Sequence, residues 1–161
     1  MFYSILRPPP YEIEVYEDED GSVVPVSIAE DGRRTVAVVS RLDGFIHNDE
    51  ETFEFSFEIL VFSNDDADGL PFRTMDRHIA SQYIPLEIRQ TIIPIVVQSL
   101  CFLVDAVRPS NIYMVTKDGN LPEKAMPKFD TLVSALLDLG FEIAEDGTDI
   151  SGRRFWTMRR Y

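Results

Sequence analysis

Alternating apolar and polar residues predict β-strands throughout the first third of the chain. The clearest segment is Thr52 to Phe62, whose apolar alternate positions are Phe53, Phe55, Phe57, Ile59 and Val61. Because successive side chains of a strand point to opposite faces, Glu54 and Glu58 fall on the other side. The pattern predicts an antiparallel meander with one packed face and one acidic, solvated face.

Four shorter segments are also apolar or alternating, and prolines or turn residues bound them. They predict strands over Phe2 to Arg7, Tyr11 to Tyr16, Val23 to Ile28 and Thr35 to Leu42. The first is expected at a sheet edge, because three prolines follow it. In the second, Val15 is expected to face inward and Glu12 and Glu14 outward. The pair Asp43-Gly44 predicts the turn that ends the fourth strand.

Beyond Gly69 the apolar positions recur with the period of a helix. Leu86 to Val107 is apolar around most of its circumference and predicts a buried core helix, which Pro94 is expected to kink or divide. Pro127 opens a second predicted helix, whose apolar stripe has three- and four-residue spacing. Gly140 is expected to end that helix, because glycine readily adopts the left-handed conformation.

The remaining segments complete an α+β order of elements. They predict a short helix over Met75 to Tyr83, a strand over Ile112 to Thr116, and a closing hairpin formed by Phe141 to Glu145 and Arg153 to Arg159 around Asp146 to Asp149. The chain has 161 residues, of which 45% are apolar. This length and composition predict a single domain over 1–161 with one core.

Charge is distributed unevenly along the predicted domain. The chain has 28 acidic and 15 basic side chains and a formal net charge of −13. Residues 1–68 contain 17 acids and 4 bases, whereas residues 69–161 contain 11 of each. The excess therefore belongs to an acidic β-meander half, followed by a charge-balanced half. It argues against direct binding of nucleic acid, which needs a basic surface.

Cysteine content and hydropathy indicate the expected compartment. The single cysteine, Cys101, excludes an intramolecular disulfide and fits a reducing environment. The first ten residues lack the charged and apolar regions of a secretory signal. The apolar stretch Thr91 to Val104 has 14 residues without a charge, which is short of the roughly 20 that span a bilayer. We expect a cytoplasmic protein without a membrane span.

The order of elements resembles that of the GNAT (N-acetyltransferase) superfamily. Four or so antiparallel strands precede a long buried helix, a strand, an amphipathic helix ending in Leu139-Gly140-Phe141, and a closing hairpin. The resemblance is clearest over residues 84–161. It implies a GNAT-like α+β fold and, in an active member, acetyl-CoA-dependent transfer to an amine.

The positions that carry chemistry in that family differ in this chain. The family's glycine-rich loop for the CoA pyrophosphate corresponds to Ser63 to Arg73, where Gly69 is the one glycine. The tyrosine that acts as general acid in many members corresponds to Leu136, and an asparagine seven residues earlier corresponds to Phe129. The resemblance therefore implies a degenerate, non-catalytic member.

An acetyltransferase with an atypical phosphate site is the alternative. Arg73 and Arg77 are its candidate contacts to the cofactor, and His78 follows them closely enough to join an anion site. Acetyl-CoA is expected only under this alternative, and otherwise no cofactor is expected.

Three further residues have both a functional and a structural interpretation. His47 is expected in a polar surface turn rather than a metal site, because no second histidine or cysteine lies at ligand spacing. Cys101 is expected to pack within the apolar helix rather than act as a nucleophile. Trp156 is expected in the core or at an edge rather than stacked on a ligand.

The strongest functional candidates are acidic residues of the predicted sheet and its turns. They are Glu12, Glu14, Glu17, Asp18, Glu19, Asp20, Glu50, Glu51, Glu54 and Glu58. Carboxylates at this density repel one another, and a basic partner would relieve that cost. The alternative is that they serve solubility and protect strand edges from pairing.

These observations favour a non-enzymatic protein that binds a basic protein surface through its N-terminal sheet and inhibits or regulates its partner. Two kinds of partner fit this description. One is the phosphate-binding groove of a nucleic-acid enzyme, and the other is a basic toxin. An assembly subunit whose partner covers apolar strand faces is a further alternative.

Overall fold

The computed structural model describes residues 1–16, 20–65, 72–74 and 76–161, and for Arg77 the backbone alone. This part of the chain contains nine strands: β1 Phe2–Ser4, β2 Glu14–Tyr16, β3 Gly21–Ala29, β4 Arg34–His47, β5 Glu50–Ser63, β6 Phe72–Thr74, β7 Asn111–Val115, β8 Glu142–Thr148 and β9 Arg154–Arg159. Its α-helices are α1 Arg77–Ala80, α2 Ile92–Val107 and α3 Pro127–Asp138, and two 3₁₀-helices cover Leu86–Thr91 and Glu123–Ala125. The predicted α+β class is confirmed.

The strands pair in the order β1-β3-β4-β5-β7-β9-β8, and β2 and β6 pair additionally with β3 and β5. β5 and β7 are parallel, whereas β7 and β9 are antiparallel, so the sheet is mixed. Long-range contacts divide the chain into two compact units. Unit 1 comprises Met1–Ser40 and Phe57–Ser99, and unit 2 comprises Arg41–Ser56 and Leu100–Tyr161.

In unit 1 the apolar runs of the strands are buried on both faces. Val36 and Val38 lie on one face of β4 and Ala37 on the other, and all three are fully buried. The second face forms a cluster of Val23, Ala37, Val39 and Leu60, against which Tyr16 and Phe62 pack. The prediction of one solvated face is therefore wrong here, because aromatic side chains cover it.

β2 and β3 pair in the antiparallel direction, as predicted, but the residue that faces inward differs from the prediction. Val15 lies opposite Ser22 in the pairing and is 57% exposed. The inward position is taken by Tyr16, which packs against the apolar cluster. The inward prediction for Val15 is wrong, because the strand buries its larger aromatic side chain instead.

The turn predicted at Asp43-Gly44 does not form. β4 continues through both residues to His47, and the chain reverses at Asn48 and Asp49, whose φ angles are 51° and 62°. A two-residue hairpin turn with both φ angles positive matches the right-handed twist of its strands. Asparagine and aspartate tolerate this left-handed conformation better than most residues.

The long apolar segment is divided, as predicted. A 3₁₀-helix over Leu86–Thr91 precedes α2, and Pro94 lies in the first turn of α2, where its missing N–H breaks no helical hydrogen bond. By length and composition, Leu86–Val107 would suffice to cross a membrane. The most apolar 18-residue part of this segment has a mean hydropathy of 1.7, and 33% of it is buried. The core helix of a folded domain meets the same criteria.

In unit 2, α3 begins at Pro127 as predicted and buries one side. Gly140, with φ of 88°, ends the helix, and the N–H of Phe141 donates to the carbonyl of Leu136 at 3.0 Å. This hydrogen bond is the expected left-handed helix end. The ring of Phe129 stacks on that of Trp156, with centroids 5.4 Å apart, so α3 covers one face of β9.

The closing hairpin forms, but its turn lies later than predicted. Asp146 and Gly147 belong to β8, and the chain reverses after Asp149, whose carboxylate accepts hydrogen bonds from the backbone N–H groups of Ser151 and Arg153. β8 is the last strand in the pairing order. Its pairing with β9 is irregular between Ile143 and Glu145, and most of its side chains are exposed.

Candidate functional site

The described acidic candidates belong to both units. Unit 1 contains Glu12, Glu14, Asp20 and Glu58, and unit 2 contains Glu50, Glu51 and Glu54. Glu17, Asp18 and Glu19 lie outside the described residues. Unit 1 has 14 acids and 6 bases and unit 2 has 14 acids and 9 bases, so their formal charges are −8 and −5. The excess of negative charge lies before residue 69 along the sequence, but it is divided between both units.

Glu12 and Glu14 line a cleft at the edge of β3, which we call the β3 cleft. β1 pairs with residues 27–29 of β3 and β2 with residues 21–23. The N–H of Ile5 also donates to the Val26 carbonyl at 3.0 Å, which leaves Val24 and Pro25 between the two partners. The cleft has a volume of about 260 Å³ and is lined by Ile5, Leu6, Arg7, Tyr11, Glu12, Glu14, Val24 and Pro25. Two carboxylates therefore stand beside apolar side chains in this cleft.

The negative charge at the β3 cleft is only weakly neutralised. Among the described residues, Arg7 is the one base in its lining, and it lies 3.7 Å from Glu12 with both side chains more than three-quarters exposed. Ion pairs at this exposure contribute little because water and salt screen them. Glu14 is exposed, as is Asp20 outside the cleft lining, and within the described residues neither has an ion pair. The cleft can thus accept a cationic group.

Gln98 of α2 fixes the loop that forms one wall of the β3 cleft. Its Oε1 accepts a hydrogen bond from the backbone N–H of Tyr11 at 3.0 Å, and its Nε2 donates to the Tyr11 carbonyl at 2.7 Å. Both backbone groups of Tyr11 are satisfied by one side chain. The sequence signal for this role is the presence of an amide side chain in a mostly apolar helix.

Glu50 and Glu51 take part in a polar network at the start of β5. The carboxylate of Glu50 lies 2.7 Å from Nη2 of Arg159, whose Nε donates to Asn111 at 3.1 Å. The amide of Asn111 in turn donates to the Glu51 carbonyl at 3.1 Å. The network borders a cleft of about 360 Å³ that Arg108 also lines. Glu50 is therefore already paired with a base.

Glu54 stands beside three aromatic side chains, Phe45, Tyr113 and Phe155, which we call the aromatic face. Glu54 lies opposite Tyr113 in the pairing of β5 and β7. The rings of Tyr113 and Phe155 stack with centroids 6.2 Å apart at 30°, and Phe45 meets Tyr113 edge-on at 6.2 Å and 79°. Phe45 is 37% exposed, and the other two are half-buried.

The opposite face of the same strands is closed. Ile112 and Met114 of β7 and Trp156 and Met158 of β9 alternate with the aromatic residues and are buried. Alternation therefore separates a packed side from one that presents aromatic rings. No functional role is predicted from the sequence for Phe45, Tyr113 or Phe155. The sequence feature that points to these residues is the recurrence of aromatic residues at the outward positions of short strands.

The electrostatic surroundings of Tyr113 are predominantly negative. Burial raises the pKa of its phenol, Arg153 opposes this shift, and the carboxylates of Glu54, Asp149 and Glu145 raise the pKa further. Arg153 is itself held by Asp149, with Nε 2.8 Å from the carboxylate. Within the described part of the chain, neither Glu54 nor Glu145 has an ion pair. The aromatic face is therefore bordered by two uncompensated carboxylates.

The residues of the alternative phosphate site are differently arranged. Nη1 of Arg73 lies 3.2 Å from the Glu58 carboxylate, and Nη2 donates to the Tyr16 hydroxyl at 3.1 Å. The side chain of Arg77 lies outside the described residues. His78 is exposed, and its backbone N–H donates to Asp76 at 2.7 Å. Arg73 and Glu58 thus satisfy each other.

The remaining candidates have ordinary surroundings. His47 is exposed at the end of β4, and its ring meets that of Phe45 edge-on at 6.3 Å. Cys101 is half-buried in α2, and burial raises the pKa of its thiol, which keeps it protonated. Trp156 is buried, so its expected place in the core is confirmed. Leu136 and Phe129, the counterparts of the family's chemical positions, are also buried.

Comparisons with known protein families, with curated proteins and with solved structures found no match for this chain.

Proposed function

We propose that this protein is a non-enzymatic, cytoplasmic binding protein that inhibits or regulates a basic partner, either a nucleic-acid enzyme or a toxin. The observation that carries this proposal is the β3 cleft. There, Glu12 and Glu14 lie beside apolar side chains, where the edge of β3 is unpaired between its partners β1 and β2. A lysine or arginine side chain of a partner matches both features, because its stem is apolar and its head is charged.

Charge supports a basic protein partner over nucleic acid. The formal charges of −8 and −5 give both units a negative field. Such a field repels phosphates and accelerates the encounter with a positive surface, and salt weakens it. We therefore propose no direct contact with nucleic acid and no membrane attachment.

The order of elements supports a GNAT-like fold for this binding protein. Antiparallel strands precede α2, β7, α3 and the hairpin of β8 and β9, which is the order on which the resemblance rests. The positions expected to carry chemistry favour the non-catalytic form. Leu136 and Phe129 are core residues, and the predicted phosphate loop, Ser63 to Arg73, lies partly outside the described residues.

The test is capture from an extract of the native host followed by titration of the captured protein. One variant combines Glu12→Gln, Glu14→Gln and Asp20→Asn. The matched control combines Glu123→Gln, Asp130→Asn and Glu142→Gln, which remove the same charge from exposed positions of unit 2. We expect the first variant to weaken the affinity at least about tenfold and to flatten its salt dependence. Equal weakening by both variants would contradict a localised site.

Acetyl-CoA-dependent N-acetyl transfer is the second candidate, and the order of elements is the observation that favours it. A thermal-shift titration with acetyl-CoA tests it directly. Ligand at about 100 times its dissociation constant would stabilise the protein by about 2.7 kcal/mol. We expect no shift, because Arg73 is paired with Glu58 at 3.2 Å. A shift that Arg73→Gln abolishes would favour the enzyme.

A further inference from the structure

We infer that the aromatic face of unit 2 is a binding site for a guanidinium group, supplied by an arginine side chain of the basic partner. The inference deepens the proposed function and rests on it for the nature of the partner. It adds a second, chemically distinct point of attachment, because this site is built around three grouped aromatic rings.

Geometry gives the first argument. Tyr113 stacks with Phe155 and meets Phe45 edge-on, both with centroids 6.2 Å apart. The three rings are partly open to solvent, whereas their sequence neighbours Ile112 and Trp156 face the other way and are buried. Partly exposed aromatic side chains grouped in this way are typical of the centre of protein interfaces.

Charge gives the second argument. Glu54 lies directly opposite Tyr113, and Glu145 lies opposite Thr157 on β9. Neither carboxylate has an ion pair among the residues described. The nearby base, Arg153, is bound to Asp149 at 2.8 Å. A cation that settles on the rings therefore finds two free carboxylates at their border.

The combination favours arginine over other ligands. A planar guanidinium stacks on aromatic rings and offers parallel N–H groups to a carboxylate, which a lysine ammonium cannot do. A nucleic-acid base would also stack on these rings, as in many single-strand binders. Its phosphates, however, would meet the negative charges of Glu54 and Glu145, and no ion pair neutralises either in the described part of the chain.

The experiment compares two fluorescent octapeptides of equal charge, one alternating arginine with glycine and the other alternating lysine with glycine. Their binding is measured by fluorescence anisotropy with the wild-type protein and four variants: Tyr113→Leu, Phe45→Leu, Glu54→Gln and, as the matched control, Tyr3→Leu. Tyr3 is an exposed aromatic residue of β1 in unit 1. Phe45→Leu is the second test, should Tyr113→Leu prevent folding. Melting curves establish that each variant is folded.

We expect wild-type protein to bind the arginine peptide about 3- to 10-fold more tightly than the lysine peptide. This preference is expected to disappear in Tyr113→Leu and Phe45→Leu, to weaken in Glu54→Gln and to persist in Tyr3→Leu. Equal affinity for both peptides would overturn the inference. So would a preference that survives in folded Tyr113→Leu or Phe45→Leu, or tighter binding of a single-stranded oligouridylate than of the arginine peptide.

The two proposals fail in different assays. If capture of the partner is insensitive to Glu12→Gln and Glu14→Gln, the β3 cleft is not the partner site, but the peptide preference at the aromatic face is unaffected. If the peptide preference is absent while capture still depends on those glutamates, only the inference about arginine is overturned.

Discussion

In unit 1, β3 and the first part of β4 are buried on both faces, whereas β7 and β9 of unit 2 are buried on one. In β4, Ala37 and Val38 point to opposite sides and both are fully buried. In β7, Met114 is buried and its neighbour Tyr113 is half-exposed. A side chain on the second face of unit 1 can only pack, while one on the open face of unit 2 can also meet a ligand.

The same contrast separates the two proposed contacts with a partner. In unit 1 both faces of β3 are filled, so the accessible place is a strand edge, the β3 cleft, which is lined by apolar side chains together with Glu12 and Glu14. In unit 2 the accessible place is a sheet face with aromatic rings and Glu54. A cleft of apolar side chains and carboxylates accepts any long cationic side chain, whereas a group of stacked rings favours a planar one.

A carboxylate introduced on the second face of β4 or on the open face of β7 should give the largest difference in stability between the units. Val39→Asp buries an unpaired carboxylate in the apolar cluster of unit 1 and is expected to cost about 3 to 5 kcal/mol of unfolding free energy. Val115→Asp lies on the half-open face of β7 and is expected to cost about 1 kcal/mol. Urea denaturation of both variants measures this difference. Similar losses would show that both faces of unit 2 are also closed.

A pair of leucines on α3 tests the closed face of unit 2. Leu136 is fully buried and Leu137 is 46% exposed. Leu136→Ala is expected to cost about 2 to 5 kcal/mol, because it leaves a cavity beneath the helix. Leu137→Ala is expected to change the unfolding free energy by about 0.5 kcal/mol. Calorimetric melting of the two variants gives the comparison, and a small effect at Leu136 would contradict the described packing.

Removing the amide of Gln98 tests how the wall of the β3 cleft is held. Gln98→Leu leaves the N–H and carbonyl of Tyr11 without their partner and is expected to cost about 1 to 3 kcal/mol. Hydrogen exchange at the Tyr11 amide should accelerate in the same variant. The matched control is Gln82→Leu, an exposed glutamine of the same unit, which should change neither measurement.

The smallest expected effect concerns the turn that precedes β9. The backbone N–H of Arg153 is the main cause that lowers the pKa of Asp149 below its ordinary 3.8. Because the pKa of Asp149 is lower in the folded protein, its ionised carboxylate stabilises the fold at pH values above the ordinary pKa. This stabilisation is lost as the pH falls through the lowered pKa. Asp149→Ala should therefore lower the melting temperature at neutral pH and have less effect at acid pH. A loss that is independent of pH would contradict this assignment.

Much of the fold follows from local patterns in the sequence. Pro127 and Gly140 bound α3 because their allowed backbone angles suit a helix start and a left-handed end. The segment Thr52 to Phe62 is strand because its aromatic residues alternate. These signals depend on neighbouring residues alone, so they can be predicted without knowing the fold.

The errors arose where distant residues decide the outcome. Asp43-Gly44 has the composition of a turn, but both residues extend β4, and the chain reverses at Asn48-Asp49 instead. Val15 was expected inside by alternation, but Tyr16 packs against the apolar cluster. In each case a contact between strands outweighs the local preference.

The candidate sites were predictable only in part. Glu12, Glu14 and Glu54 were singled out by charge, but charge along the chain does not reveal which carboxylates stand beside apolar or aromatic groups. Glu50 and Glu58 were grouped with them and are instead paired with Arg159 and Arg73. The aromatic rings beside Glu54 come from three strands, and their meeting depends on the register of β5, β7 and β9.

The irregular pairing of β8 bears on how the protein behaves at high concentration. An outer strand offers free N–H and C=O groups, and a flat one would seed stacking of one molecule on another into a fibril. On β8 the pairing shifts between Ile143 and Glu145, which bends the strand, and the exposed Glu142, Glu145 and Asp146 repel an identical strand. The last strand of the sheet therefore opposes growth of an amyloid-like ribbon from this edge.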